Sequence, residues 1–259
     1  MYLSIEEFID KAEKTGKKIS DLMIEQEMER SQKSYEEIWT QMGQNLDVMD
    51  AAVKRSQEGA GVFSPTGLTG GDAARLKKYR AAGKTLSGDL MMSAVQAALG
   101  TNEVNAAMGV VCATPTAGAS GTLPGVLTAI KNTLNLTRDQ QIRFLFTSSL
   151  FGMVTANNAM IAGAVGGCQA EVGSASAMAA AAAVEAAGGG AGNALIAADM
   201  ALAGIVNKIP ADEVVEAMNK VGRQLPRELR ETGLGGLAGT ATGQRMKNEI
   251  FEKVKFTIV

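Results

Sequence analysis

Histidine is absent from this chain of 259 residues. Proton transfer near neutral pH must therefore use another acid–base group, or one that a partner supplies. Cysteine is scarce: Cys112 and Cys168 are the only two, too few for a disulfide scaffold. That usage fits a reducing compartment, and a cytoplasmic protein is expected. Aromatic residues make up only 4%, so rings cannot dominate the core. No long apolar run survives inspection. The best, Ser174 to Ile205, is interrupted by Glu185, Asp199 and the glycine run 188–190 and does not read as a membrane span. The opening MYLSIEEFIDKAEK is charged and amphipathic, without the apolar core of a signal segment. A net charge of −2 leaves no electrostatic footprint for nucleic acid.

What is present points to helices. The chain is 46% hydrophobic, with 30 glycines and 14 methionines. A core of Ala, Gly, Leu and Met suits closely packed helices. Ser4 with Glu7, Ser34 with Glu37, and Thr137 with Gln140 have the spacing of capping boxes. Gly16 should end the first helix and Ser20 should cap the second. Helices are expected near Leu90–Leu99 and Glu103–Val111, after Thr137, over Asn193–Val206, and from Pro210 to about Gln224. A short one should run from Pro226 to Gly233. Alternating β-branched residues appear only in the last few positions, Lys253 to Val259. The expected fold is all-α, a multi-helix globular body with several glycine-rich loops. Residues 1–58 read as an N-terminal helical region and 59–259 as the main domain.

Three loops stand out. Gly59–Gly71 carries Pro65 and several glycines beside Ser64, Thr66 and Thr69, with Asp72 placed to cap the next helix. Backbone N–H groups and hydroxyls of this kind can cradle an anion, although glycine loops also serve as plain turns. Cys112–Gly125 repeats the chemistry with Thr114, Thr116, Ser120 and Thr122, and Cys112 reads as a packing residue. Gly233–Gly243 is the third. The tripeptide Gly83-Lys84-Thr85 is not a P-loop, because Lys78 stands where the first glycine is required.

The organising stretch is Asn157 to Ala187. Cys168 lies there among Ala162, Gly163, Ala164, Gly166, Gly167 and Gly173, with Gln169 and Glu171 beside it. Side chains this small let backbone approach a neighbouring helix or a cofactor, and two preceding glycines free the chain to aim the sulfur. A tightly packed helical hairpin around a buried thiol explains the same composition.

Read as a whole, GGCQAEVGSASAMAAA resembles the core signature of the iron–sulfur-dependent L-serine dehydratases, specifically the α chain of their two-chain form. SPTGLTGGD, NEVNAAMG, CATPTAGASGTLPG, NALIAADMALAGI and RETGLGGLAGTATG resemble further blocks of that family, in the same order. The resemblance implies conversion of L-serine to pyruvate and ammonia, in amino-acid degradation and gluconeogenesis. It implies a 4Fe–4S cluster whose open iron acts as Lewis acid on the serine hydroxyl, and a β chain that completes the active site and supplies the base. Cys168 would be an iron ligand. Ser64, Thr69, Thr116 and Ser120 would hold the substrate carboxylate and ammonium, with Asn158 as a further candidate. Met160 stands where a small hydroxyl residue is expected, so no contact is carried over to it.

One departure is large. The family carries a segment containing CDPVAGLVEVPC, with the other two of its three cysteine ligands, between the alanine-rich helix and the NALIAADM block. Here Ala187 runs through Gly188-Gly189-Gly190 straight into Ala191. Both flanks read like the family up to the join, so residues missing from the numbering, and with them a break in space at Gly189–Gly190, are expected. If the segment is truly deleted, the alternative is a non-catalytic helical scaffold that docks the β chain and holds no cluster.

Overall fold

The structure, a computed structural model, describes residues 2–83, 85–203, 209–226, 230 and 239–255. Among them are helices and no strand. The sole pairing of extended backbone among the described residues is an isolated bridge between Phe63 and Gly70. The all-α expectation holds.

The helices that pattern and caps predict form where local chemistry dictates them. α1 (Ile5–Thr15) starts with the Ser4 hydroxyl accepting the Glu7 N–H at 3.1 Å and ends at Gly16, whose φ is 67°. α3 (Tyr35–Ser56) and α7 (Arg138–Asn158) each begin with a complete capping box, Ser34 with Glu37 and Thr137 with Gln140. Two other starts differ from expectation. α2 (Ile19–Ser31) does not use Ser20 as its cap. The Glu185 carboxylate accepts the Ile19 N–H at 2.7 Å and the Ser20 N–H at 3.4 Å. Asp72 likewise lies inside α4 (Asp72–Ala81), behind Gly71 with φ 79°. The Glu103 carboxylate caps it, at 2.5 Å from the Asp72 nitrogen and 3.3 Å from that of Ala73. Even α1 has a second anion at its N-terminus, because Asp212 accepts from Ile5 at 2.8 Å and from Glu6 at 2.9 Å. Carboxylates from distant helices thus satisfy the positive ends of three helices.

The two helices expected on either side of residue 100 are one, α5 (Gly88–Ala106). Gly100 does not break it. It lets α3 approach, for a Cβ there would lie 2.0 Å from the Ser56 hydroxyl. α6 (Thr122–Thr133) begins inside the stretch expected as loop, so Thr122, Pro124 and Gly125 are helical. Beyond α7 come the short α8 (Gly163–Gly166), then α9 (Cys168–Ala186), α10 (Ala191–Ala203), α11 (Ala211–Gln224, with Pro210 at its N-cap) and α12 (Ala241–Lys255). The helix expected from Pro226 to Gly233 falls largely outside the described residues, as does Gly233–Ala238 of the third loop.

The core is continuous from the N-terminus onward. Phe8, Leu22, Leu46, Leu123, Phe146, Phe151, Ala181, Ala198 and Val215 belong to one hydrophobic cluster. At its centre α7 meets α9, where Gly152 leaves room for the Met178 side chain. α10 folds back along α9, placing Leu202 against Gly173. None of the described helices is long and apolar enough to cross a membrane.

Candidate functional site

The glycine-rich stretch 62–71 is a folded-back loop. The Phe63–Gly70 bridge closes it, and the Ser64 N–H donates to the Thr69 carbonyl at 2.9 Å. Glycine is obligatory at its closing corner: φ is 131° at Gly70, and a Cβ would sit 2.2 Å from the Val62 carbonyl oxygen. The Ser64 hydroxyl accepts the Thr69 N–H at 3.3 Å and lies 3.0 Å from the Thr66 hydroxyl. Ser64 therefore shapes the loop, while Thr69 is exposed to solvent.

In the second loop the Thr116 hydroxyl accepts the Ala119 N–H at 3.3 Å, forming a tight turn that ends in α6. Ser120 is 1% exposed, and its hydroxyl has no hydrogen-bond partner among the described residues. A buried hydroxyl without a partner is costly, and a ligand group would relieve that cost. Gly118 lies against the Glu171 carboxylate: a Cβ there would be 2.8 Å from Oε2.

That contact fixes the second loop in space. Glu171 is one turn along α9 from Cys168, so the loop sits on the first turn of the helix that Cys168 opens. The first loop approaches through α5. Glu103 caps the helix that follows it, and two residues on Asn105 donates to the Ala117 carbonyl at 3.3 Å. Both loops thus flank the C-terminal end of α5. Asn158 lies elsewhere in chemistry: its amide donates to the Leu3 carbonyl at 2.9 Å and the Val154 carbonyl at 2.8 Å, tying the N-terminal segment to α7.

Cys168 is exposed at the start of α9 rather than buried in a hairpin, which corrects the packed-thiol reading. Cys112 packs as expected. Its sulfur contacts the Asn45 carbonyl at 3.5 Å, and burial raises its pKa above the ordinary thiol value. It lines a cavity of about 350 Å³ with Met49, Leu123, Leu145 and Ser148.

Sequence reasoning did not single out Glu103 and noted Glu171 only as a polar neighbour of Cys168; both are only 7% exposed. Burial pushes the Glu103 carboxyl above its ordinary range, against the opposing pull of its bonds from Asp72 and Ala73. Glu171 had one legible signal, its place one helical turn after Cys168.

The glycine junction is a formed turn, not a break. Gly189 donates to the Val184 carbonyl at 2.8 Å and Gly188, at φ 88°, to that of Glu185 at 3.0 Å. These two bonds make a Schellman motif, after which Ala194 donates to the Gly190 carbonyl at 3.1 Å. α9 has 19 residues, so at ~1.5 Å per residue this turn lies about 28 Å from Cys168. A cavity of about 480 Å³ beside the turn is lined by Glu13, Lys17 and Glu185, and belongs to that far end.

A 4Fe–4S cluster needs several thiolates around one point. This chain has one cysteine at the site, and Cys112 is packed onto Asn45. No group of three or more Cys, Asp or Glu side chains among the described residues could hold a metal ion. The residues present do not fit the cluster.

Fold and site together define an all-helical protein in which a hydroxyl-bearing loop rests on the first turn of a helix opened by a single exposed cysteine. Its sequence matches the family model described as serine dehydratase alpha chain, in two pieces, residues 14–192 and 189–238, which meet at the glycine turn. A Bacillus subtilis protein named as a probable L-serine dehydratase, alpha chain, is 52% identical over 289 aligned positions, covering 97% of this chain and 96% of its own. The L-serine dehydratase alpha chain of Peptoniphilus asaccharolyticus is 38% identical, over 95% of this chain and 97% of its own. An L-serine dehydratase of Streptomyces coelicolor is 32% identical over 90% of this chain, which covers 60% of that protein. The chain belongs to the serine dehydratase alpha chain family. The Bacillus alignment is longer than this chain, so the relative carries residues that have no counterpart here.

Proposed function

We propose that this chain is the α subunit of a cytoplasmic L-serine ammonia-lyase that converts L-serine to pyruvate and ammonia together with a β chain. The contact that supports the reading is Gly118 against Glu171, which rests the second loop on the first turn of α9, the helix that Cys168 opens. The hydroxyls of Thr69, Thr116 and Ser120, with the backbone N–H groups that Ser64 orders, bind the carboxylate and ammonium of serine. Glu171 accepts the α-proton. Loss of that proton and of the serine hydroxyl as water leaves 2-aminoacrylate. Its imine form adds water and releases ammonia, giving pyruvate. The test is pyruvate formation from L-serine by this chain co-expressed with its β chain. Ser120→Ala should raise KM several-fold, and Glu171→Gln should lower kcat by about a hundredfold or more. Full activity in both variants would remove these residues from the site.

A second reading has its own observation. The missing cysteines favour a helical scaffold that docks the β chain without a cluster. Serine turnover by the anaerobically purified pair separates the two readings: a pair that assembles but turns over no serine is the scaffold.

A further inference from the structure

Helix α5 is buried along one side only. Gln96, Ala97, Gly100 and Val104 face the body, whereas Leu90 is 50%, Met91 57%, Val95 37% and Leu99 41% exposed. Met91, Val95 and Leu99 are spaced four residues apart and therefore lie on one helix face. With Leu90 they form a ridge about 14 Å long at ~1.5 Å per residue. A ridge of aliphatic side chains left in water is expensive, and patches of this kind mark interaction surfaces.

The ridge is held rigidly. Arg80 of α4 makes a two-pronged ion pair with Asp89, both contacts at 2.9 Å, and donates to the buried Gln96 side chain at 2.6 Å. The bonds lock the first half of α5 onto α4, so little ordering remains to oppose binding.

We infer that this face of α5 is the docking surface for the β chain. The inference rests on the reading of the chain as an α subunit, and holds for the enzyme and for the scaffold alike. Two observations choose the occupant over a second copy of this chain. The Streptomyces relative contains a further region outside the 60% that this chain covers, so there the same body is covalently attached to more protein. The Bacillus relative, covered over 96% of its length, is named as an alpha chain. Position adds a third argument. Leu99 precedes Asn105, which holds the second loop, by six residues or about 9 Å along the helix. A partner seated on the ridge therefore reaches the end of α5 that both loops flank.

The test is affinity, measured independently of serine turnover. Met91→Glu/Leu99→Glu should weaken binding of this chain to its β chain by on the order of thirtyfold or more, as expected for charges buried in an apolar interface. Helix content and melting temperature should stay as in the parent, because both positions are exposed. Val221→Glu, at an equally exposed position on α11, should leave the affinity unchanged. Hydrogen exchange of the unaltered chain gives a second measure: amides of residues 90–99 should slow when the β chain is added. Undiminished affinity in a folded double variant, or no slowing in this segment, would overturn the inference. So would a homodimer of the isolated chain that the double variant splits, since the face would then belong to a second copy. Normal binding loss with no serine turnover in the parent would count against the enzymatic reading alone.

Discussion

Two halves of the molecule are built from different materials. Around α1, α2, α3 and α7 the contacts are large: Phe8 packs edge-on to Phe151 at 5.0 Å between ring centres, and Trp39 stacks between Tyr35 and Phe146. Around α5, α6 and α9 they are small. Gly100 abuts Ser56, Gly121 approaches the Ala98 carbonyl, and Ala175, Ala177, Ala181 and Ala182 fill the buried face of α9. Seven of the chain's eleven rings, Tyr2, Phe8, Tyr35, Trp39, Phe144, Phe146 and Phe151, lie in or beside the first half. The large-residue half stabilises through buried area. The small-residue half brings backbones close, so that loops and carboxylates meet where a ligand would sit.

The comparison breaks most visibly at Phe151. Phe151→Ala should cost about 3–5 kcal/mol of stability, read by denaturant unfolding, since it removes a fully buried ring against which Phe8 packs edge-on. Glu185 follows. Its carboxylate accepts the Thr147 hydroxyl at 2.6 Å as well as the start of α2, joining three helices. Glu185→Ala should cost about 2–3 kcal/mol, because it strands several donors at once. Gly118→Ala in the other half should behave differently. Its methyl group would strike the Glu171 carboxylate and displace the second loop. The expected result is a serine KM raised about tenfold or more, with a melting temperature within a few degrees of the parent. A large stability loss with unchanged KM would erase the division between the halves.

What could be read from sequence follows the same division. Caps made by a residue's own neighbours were legible: Ser4, Ser34 and Thr137 each bond three residues ahead. Caps made by Asp212, Glu185 and Glu103 were not, because the partners lie 207, 166 and 31 residues away in the chain. Local spacing carries no information about them, and it misassigned the role to Ser20 and Asp72. The division of α5 at Gly100 failed for a similar reason: a glycine weakens an isolated helix, but here it serves close packing. Loop chemistry was legible as composition, whereas the approach of the second loop to Cys168 depends on Gly118 and Glu171, 53 positions apart in the numbering. The glycine junction was legible as lost sequence, and the longer Bacillus alignment agrees; what the residues could not show is that the chain closes across it. In space the three glycines make the turn that glycine best supports, with Gly188 in the left-handed region.

The smallest effect concerns how α4 is held to α5. Glu103 is a buried carboxylate whose Oε1 caps α4 and whose Oε2 has no hydrogen-bond partner among the described residues. Burial raises its pKa above the unfolded value, although the two backbone donors oppose the shift. The sign follows. A raised carboxyl pKa means that the folded chain holds the proton more tightly than the unfolded chain. Its stabilising share is then fully present below the ordinary glutamate value of about 4.3 and is lost as pH rises through the raised folded value. Glu103→Gln keeps an acceptor for the Asp72 and Ala73 N–H groups and removes the titration. It should hold stability at neutral pH to within about 1 kcal/mol, and flatten the dependence across that acidic window. Glu103→Ala removes the cap itself, and should cost about 1–2 kcal/mol at every pH while loosening the loop that precedes α4. Unfolding free energies measured from pH 4 to 8 separate the two variants. If Glu103→Gln were as destabilising as Glu103→Ala at neutral pH, the negative charge at the helix N-terminus, not the hydrogen bonds, would be what holds α4 to α5.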